Sequence, residues 1–279
     1  MSPMFDFLPA AAASAPVLFA EDRYGSPGRH AIGFARWFPT LTFYVKAFGI
    51  VYRSLKPAEQ GLYTDEDWCN DSRGEVHSIE QVGGRLEAEG LNHIRELREP
   101  CLFVGNHMST LETFVLPCMI QPWKPVTFVV KRSLLTYPFF GPIMRSRDPV
   151  VVDRQSPRED LEAVLRGGLE RLQRGISVVV FPQSTRMERF DPQQFNTIGI
   201  KLARKAGAPI IPLALRTDFW SNGSIVKDVG RIRPERTVYF RFGAPFEVTG
   251  NGKNDHNRIV AFIQSSLAEW EEADRREQA

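Results

Sequence analysis

The sequence predicts an α/β fold in which a mixed, largely parallel sheet is flanked by helices. Three observations carry the prediction. From Gln81 onward, short apolar runs alternate with helical patterns. Several of the runs are apolar at every position rather than at every second one, as strands covered on both faces require. Capping signals and a C-terminal glycine bracket the helical patterns between them. Over 279 residues, 43% hydrophobic content is ample for a buried core.

The strand candidates follow in order. VGGRLEAEGL is the first, CLFVGNH the second, PVTFVVKR the third and PVVVDR the fourth. Ser156-Pro157-Arg158-Glu159 then forms a capping box with proline at the first helical position. Leu161, Val164, Leu165, Leu169 and Leu172 recur at helical spacing until Gly175. ISVVVFP is a fully apolar strand, and a helix ending in KLARKAG leads to PIIPLAL, another buried strand. TVYFRFGAPFEV supplies a late strand before a closing amphipathic helix from about Asn254. There is no internal repeat.

Residues 1–80 read as a separate N-terminal segment ahead of an α/β domain at 81–279. Its Ala-rich start lacks the positive n-region of a signal peptide. Residues 31–55, AIGFARWFPTLTFYVKAFGIVYRSL, are rich in Phe, Trp and Tyr and carry Arg36, Lys46 and Arg53. Aromatics with periodic cations describe an amphipathic helix lying in a membrane interface, while the alternative is a helix covering the edge of the core. No run of about 20 apolar residues supports a membrane span. Residues 56–80 are polar and read as a connector; as an EF-hand they fail, because Asn70 stands where the loop needs glycine. Asn70 and Asn222 begin N-x-S sequons, which matter only after secretion.

With 35 Lys plus Arg against 33 Asp plus Glu, no global basicity points to nucleic acid. Three cysteines without CxxC spacing argue against a disulfide framework or zinc site and fit a reducing cytoplasm. HExxH is absent, and His30, His77, His93 and His256, scattered in polar segments, read as surface histidines. No metal or cofactor is expected.

Three polar clusters carry chemistry. FVGNHMSTLET ends a strand with His107 and Glu112 five positions apart. A carboxylate bonded to one imidazole nitrogen fixes the tautomer and leaves the other as a general base. The alternative is an S-x-x-E capping box on Ser109. FPQSTRMER ends another strand with Gln183, Ser184, Thr185 and Arg186, and arginine beside hydroxyls and backbone N–H groups suits phosphate. A solvated turn explains that cluster equally well. VVKRSLLTYPFFGPIMRSRDPVVVDR places Lys131, Arg132, Arg145, Arg147 and Arg154 around an aromatic turn, either for a lipid headgroup or as solvation of a helical hairpin.

Together these residues resemble the glycerolipid acyltransferase family that includes 1-acylglycerol-3-phosphate acyltransferases. That family has four ordered blocks: a histidine and an aspartate with four residues between, a Lys/Pro/Gly block ending in Asp/Arg, an FPEGTR block and a proline-bearing apolar strand. Here they stand as NHMSTLE, as Lys131 through YPFFGPI to VVVDR, as FPQSTR and as APIIPLAL, in order from Gly105 to Leu215. DVGRIRPERTVYFRFGAPFEV resembles the family's closing strand region. Two positions depart: Glu112 replaces the aspartate, and Gln183-Ser184 replaces Glu-Gly, which bears on the acceptor more than on the reaction.

The resemblance implies acyl transfer from acyl-CoA or acyl-carrier protein to a lysophospholipid hydroxyl. His107 is then the base, Glu112 its orienting group, and Arg186, Thr185, Ser184, Gln183, Lys131 and Arg154 the substrate-binding set. The expected partners are the lysophospholipid, the acyl donor and a membrane surface, with the protein peripheral on the cytoplasmic face. A non-catalytic lipid-surface protein of the same fold is the rival, with Gln183 and Ser184 marking a disabled site. Thioester hydrolysis is another, but a serine hydrolase using Ser109 or Ser184 lacks a G-x-S-x-G elbow.

Overall fold

The computed structural model describes residues 18–28, 31, 33–223 and 227–278. The Ala-rich start through residue 17 and His30 lie outside the described residues. Among the described residues, eight strands and ten α-helices follow in the order β1 (Arg23–Gly25), α1 (Phe34–Trp37), α2 (Pro39–Glu59), α3 (Asp65–Gln81), β2 (Arg85–Glu89), α4 (Asn92–Glu96), β3 (Leu102–Gly105), α5 (Leu111–Ile120), β4 (Val126–Lys131), α6 (Arg132–Leu135), α7 (Phe140–Ser146), β5 (Val150–Val152), α8 (Pro157–Gln173), β6 (Ser177–Val180), α9 (Ile198–Ala206), β7 (Ile210–Arg216), β8 (Thr237–Phe242) and α10 (Lys253–Gln278).

One sheet runs in the order β1-β2-β8-β7-β3-β6-β4-β5. The block β7-β3-β6-β4-β5 is parallel throughout, β2 pairs parallel with β8, and β7·β8 and β1·β2 are antiparallel. The mixed, largely parallel sheet is therefore as the alternation predicted. Helices α2, α3, α5 and α7 cover one face, and α8, α9 and α10 the other. Coverage on both sides explains why β3, β6 and β7 are buried at every position. Parallel strands point their carboxyl ends to one edge, so the turns after β3, β6, β4, β5 and β7 share that edge.

Glycine at Gly105 is a packing requirement. A Cβ there would meet the Leu213 backbone oxygen on β7 at 2.6 Å, so the strand could not close against its neighbour just before the turn to His107.

The polar stretch read as a connector is instead largely α3. Thr64 accepts from the Asp67 N–H, and Asp67 accepts in return from the Thr64 N–H, a reciprocal capping box. Its apolar residues are few but fall on one face: Trp68, Val76 and Ile79 are buried against the neighbouring helices. Sparse apolar spacing within a charged stretch hides such a helix from composition.

The segment at 31–55 divides. Phe38 and Pro39 separate α1 from α2, because proline takes the first helical position rather than continuing a helix. Phe43, Ala47, Ile50 and Val51 pack inward, whereas Leu41, Val45, Phe48 and Tyr52 stand exposed on α2, with Phe34, Trp37 and Phe38 beside them. Tyr52 is 71% and Trp37 76% exposed. Among the described residues, no helix is long and apolar enough to cross a membrane.

Candidate active site

Three adjacent parallel strands deliver the site. The turn after β3 carries His107, the turn after β6 carries Gln183 to Arg186, and Thr217 directly follows β7. Asn106 fixes the first turn by a reciprocal pair: its Nδ2 donates to the Leu215 carbonyl at 2.8 Å, and its Oδ1 accepts from the Leu215 N–H at 3.0 Å.

The His107 Nδ1 and Glu112 Oε1 lie 2.7 Å apart. Glu112 is fully buried, and its carboxylate is surrounded by donors. Oε1 accepts from the Met108 N–H at 2.7 Å and the Ser109 N–H at 3.0 Å. Oε2 accepts from the Thr217 hydroxyl at 2.6 Å, with the Ser109 hydroxyl 3.0 Å away. Burial pushes this carboxyl up, but the hydrogen bond and charge of His107 and the Thr217 hydroxyl outweigh it and hold it below the ordinary glutamate value. The capping box on Ser109 does not form, because Thr110 is the N-cap and the Ser109 hydroxyl accepts from the Leu111 N–H; Glu112 instead accepts the Ser109 N–H while meeting the imidazole. Ser109 is buried, with its hydroxyl engaged by the Leu111 N–H and Thr217.

The His107 ring is 21% exposed by its side chain and stacks on Phe181, 4.6 Å between centroids and 4° from parallel. Its backbone N–H donates to Gln183 Oε1 at 2.6 Å, and its carbonyl accepts from the Met187 N–H at 2.9 Å. One edge of the imidazole is held by a carboxylate and one face by a ring, while the side chain keeps access to solvent. That is what a positioned proton acceptor needs.

Arg186 sits at the same edge. Its Nη1 donates to the Thr110 hydroxyl and, at 2.7 Å, to Asp228 Oδ1. Thr185 accepts from Lys227 at 3.0 Å, and Ser184 is exposed. Lys131 ends β4 with its side chain exposed. Arg154 follows β5 and donates to the Gln183 carbonyl at 3.3 Å. Its φ of 60° is a sparsely populated conformation for a non-glycine residue, held by Asp160 Oδ1 accepting from the Asp153 and Arg154 N–H groups.

Over 210 residues the chain aligns with the 1-acyl-sn-glycerol-3-phosphate acyltransferase of Pseudomonas aeruginosa at 30% identity, covering 73% of this chain and 76% of that one. The chain belongs to the 1-acyl-sn-glycerol-3-phosphate acyltransferase family. The family model described as Acyltransferase matches residues 85–216. A chloroplastic member from Brassica napus is 28% identical over 47% of this chain and 37% of its own length. The crystal structure of the 1-acyl-sn-glycerophosphate (LPA) acyltransferase PlsC from Thermotoga maritima shares the fold, with a TM-score of 0.65 at 18% identity over 85% of this chain and 96% of that one. The acyltransferase model spans His107, Glu112, Lys131, Arg154 and the 183–186 turn, and stops one residue before Thr217.

Several expectations need correction. Gln183 was expected to face substrate; it is 1% exposed, turned inward with its carbonyl on His107. Of the cation cluster, Arg132 pairs with Asp153, Arg145 bonds the Leu135 carbonyl, and Arg147 pairs with Asp65 at 2.7 Å beneath the rings of Tyr63 and Trp68. Of the two readings, Arg147 is held within the fold, whereas the Arg132–Asp153 pair lies on the surface. His77 is exposed, but His93 and His256 are half-buried, His256 beside the Phe195 ring. Thr217, Phe181, Thr110 and Asp228 were not singled out beforehand. Phe181 stands inside the FPQSTR block, so its place could have been read; Thr217 and Asp228 are remote in sequence and gave no local signal.

Proposed function

We propose that this acyltransferase moves a fatty acyl group from acyl-CoA or acyl-carrier protein to the hydroxyl of a lysophospholipid such as 1-acylglycerol-3-phosphate. The observation that carries this reading is the 2.7 Å contact between His107 Nδ1 and a fully buried Glu112, with the imidazole still reachable. Glu112 accepts a hydrogen bond from Nδ1–H, which fixes the tautomer and leaves Nε2 as the base. It removes the acceptor hydroxyl proton as that oxygen attacks the thioester carbonyl. Collapse of the tetrahedral intermediate breaks the carbon–sulfur bond, and the imidazolium returns the proton to the leaving thiolate. No acyl-enzyme is needed.

Arg186 holds the acceptor phosphate, with Lys131, Arg154, Thr185 and Ser184 lining the same edge. Gln183 supports rather than binds: its side-chain carbonyl accepts from the His107 N–H, which a glutamate oxygen in the same place would also do. This gives a physical reason why Gln in place of Glu is compatible with the machinery. The exposed apolar face of α1 and α2 keeps the site at the bilayer surface, with the protein peripheral on the cytoplasmic face.

The test is a purified full-length chain with labelled acyl donor and a panel of lysolipids, products read by mass. His107→Ala abolishes transfer by at least about a hundredfold while the fold persists. Arg186→Ala raises chiefly the acceptor KM. Transfer unchanged by His107→Ala removes the mechanism, and lipid binding without turnover in the wild type favours the non-catalytic reading.

A further inference from the structure

Away from His107, the helical layer encloses a small apolar cavity between α2, α3, α5, β4 and α7. Ile50, Trp68, Phe114, Phe128 and Met144 supply its walls. It holds about 30 Å³ open to a water-sized sphere, where roughly 10–15 Å³ admits one water. That is room for the end of a chain. The wall includes Thr113 and Phe114 of α5, the helix whose first turn carries Glu112.

Glu75 on α3 lies in this apolar lining, 1% exposed, and neither of its carboxyl oxygens has a hydrogen-bond partner. The other polar groups here are provided for within the fold. Asp71 Oδ2 accepts from the Tyr63 hydroxyl at 2.7 Å and from Ser54. The Ser72 hydroxyl donates to the Phe114 carbonyl at 2.6 Å and accepts from the Cys118 N–H at 3.0 Å. An orphaned carboxyl in an apolar wall is costly, and a partner from outside the chain removes that cost.

The chemistry of the partner follows. Burial, reinforced by the charge of Asp71, pushes Glu75 up to about 8, so at neutral pH it is an uncharged acid that both donates and accepts. A plain hydrocarbon tail satisfies neither oxygen. A cation requires the ionised form. A hydroxyl on a hydrocarbon tail donates, accepts, and is small enough for the space.

We propose that Glu75 hydrogen-bonds a hydroxyl carried on the acyl tail of a substrate, making this acyltransferase selective for hydroxylated chains. The inference rests on the acyl-transfer reading, and the tail belongs either to the donor or to the lysolipid. The experiment is a competition assay on the purified full-length chain, with products resolved by mass. One arm offers plain and hydroxylated acyl-CoA isomers of equal length with a plain lysolipid; the other offers a plain donor with plain and hydroxylated lysolipids.

For one hydroxyl position in one arm, the wild type favours the hydroxylated substrate by about tenfold or more, and Glu75→Met brings that ratio to near one. The arm in which the ratio appears identifies the tail. A wild-type ratio at or below one at every position in both arms overturns the proposal, as does a ratio that Glu75→Met leaves unchanged. Should Glu75→Met not fold, the wild-type ratios decide alone. Turnover without preference overturns only this inference, whereas no turnover with any pair overturns the acyl-transfer reading as well.

Discussion

At residue scale, Glu112 and Glu75 show how environment divides two buried carboxyls on the same side of the sheet. Glu112 is ringed by donors from His107, Met108, Ser109 and Thr217 and is held in its charged form. Glu75 has no donor and is held neutral, its value moved from 4.5 to about 8 by burial and Asp71. The sign for stability follows from linkage. The folded state keeps the Glu75 proton to higher pH than the unfolded chain, so Glu75 disfavours folding progressively as pH rises from about 4.5 to about 8. Glu75→Gln removes that loss. In denaturant titrations the variant gains on wild type between pH 5 and pH 8, by a few kcal/mol, on the order of 1.4 kcal/mol per pH unit between the two values. A wild-type-minus-variant difference flat across that range contradicts a neutral Glu75.

At the scale of elements, α2 is divided lengthwise. One side buries Phe43, Ala47, Ile50 and Val51, and Phe43 packs edge-on against Phe219 and Trp220. The other exposes Leu41, Val45, Phe48 and Tyr52. Spacings of four, three and four residues bring these onto one stripe. Tyr44 and Thr40, on the flank, bond the Gly230 carbonyl and the Ile232 N–H, so α2 is fixed to the loop before β8. A stripe held rigidly and left uncovered suits an apolar medium. Val45→Asp combined with Tyr52→Asp, both on the exposed stripe, is expected to weaken binding to anionic phospholipid vesicles at least tenfold in a flotation assay, with the unfolding midpoint unmoved. Equal flotation by variant and wild type discards the interfacial assignment.

For the whole molecule, the closing helix is tied to the sheet through a buried ion pair. Arg216, last in β7, donates to Asp274 of α10 and lies over the Tyr239 ring, 4.7 Å from its centre, while the Tyr239 hydroxyl donates to the other Asp274 oxygen at 3.2 Å. Removing Asp274 leaves the buried Arg216 only the longer contact to Asp218 at 3.8 Å. Asp274→Ala therefore costs about 3–5 kcal/mol in denaturant unfolding. A loss under about 1 kcal/mol shows the pair to be dispensable.

The strand order of chemistry along the chain was legible because β3, β4, β5, β6 and β7 are apolar runs ending abruptly in polar turns, and because helix α8 announces itself with Ser156 and Pro157. His107 and Glu112 could be paired from sequence since five residues in one turn leave few ways to separate them. Helix α3 was missed because its three buried apolar anchors are diluted among charges, and the break at Pro39 because an aromatic run looks continuous until a core decides which side each ring takes. Which groups surround the histidine, and which cations are free to meet a ligand, depended on β3, β6 and β7 lying side by side. Residues more than a hundred positions apart, such as Thr217 and Glu112, meet only through that register, and a local pattern carries no information about a neighbour that folding alone supplies.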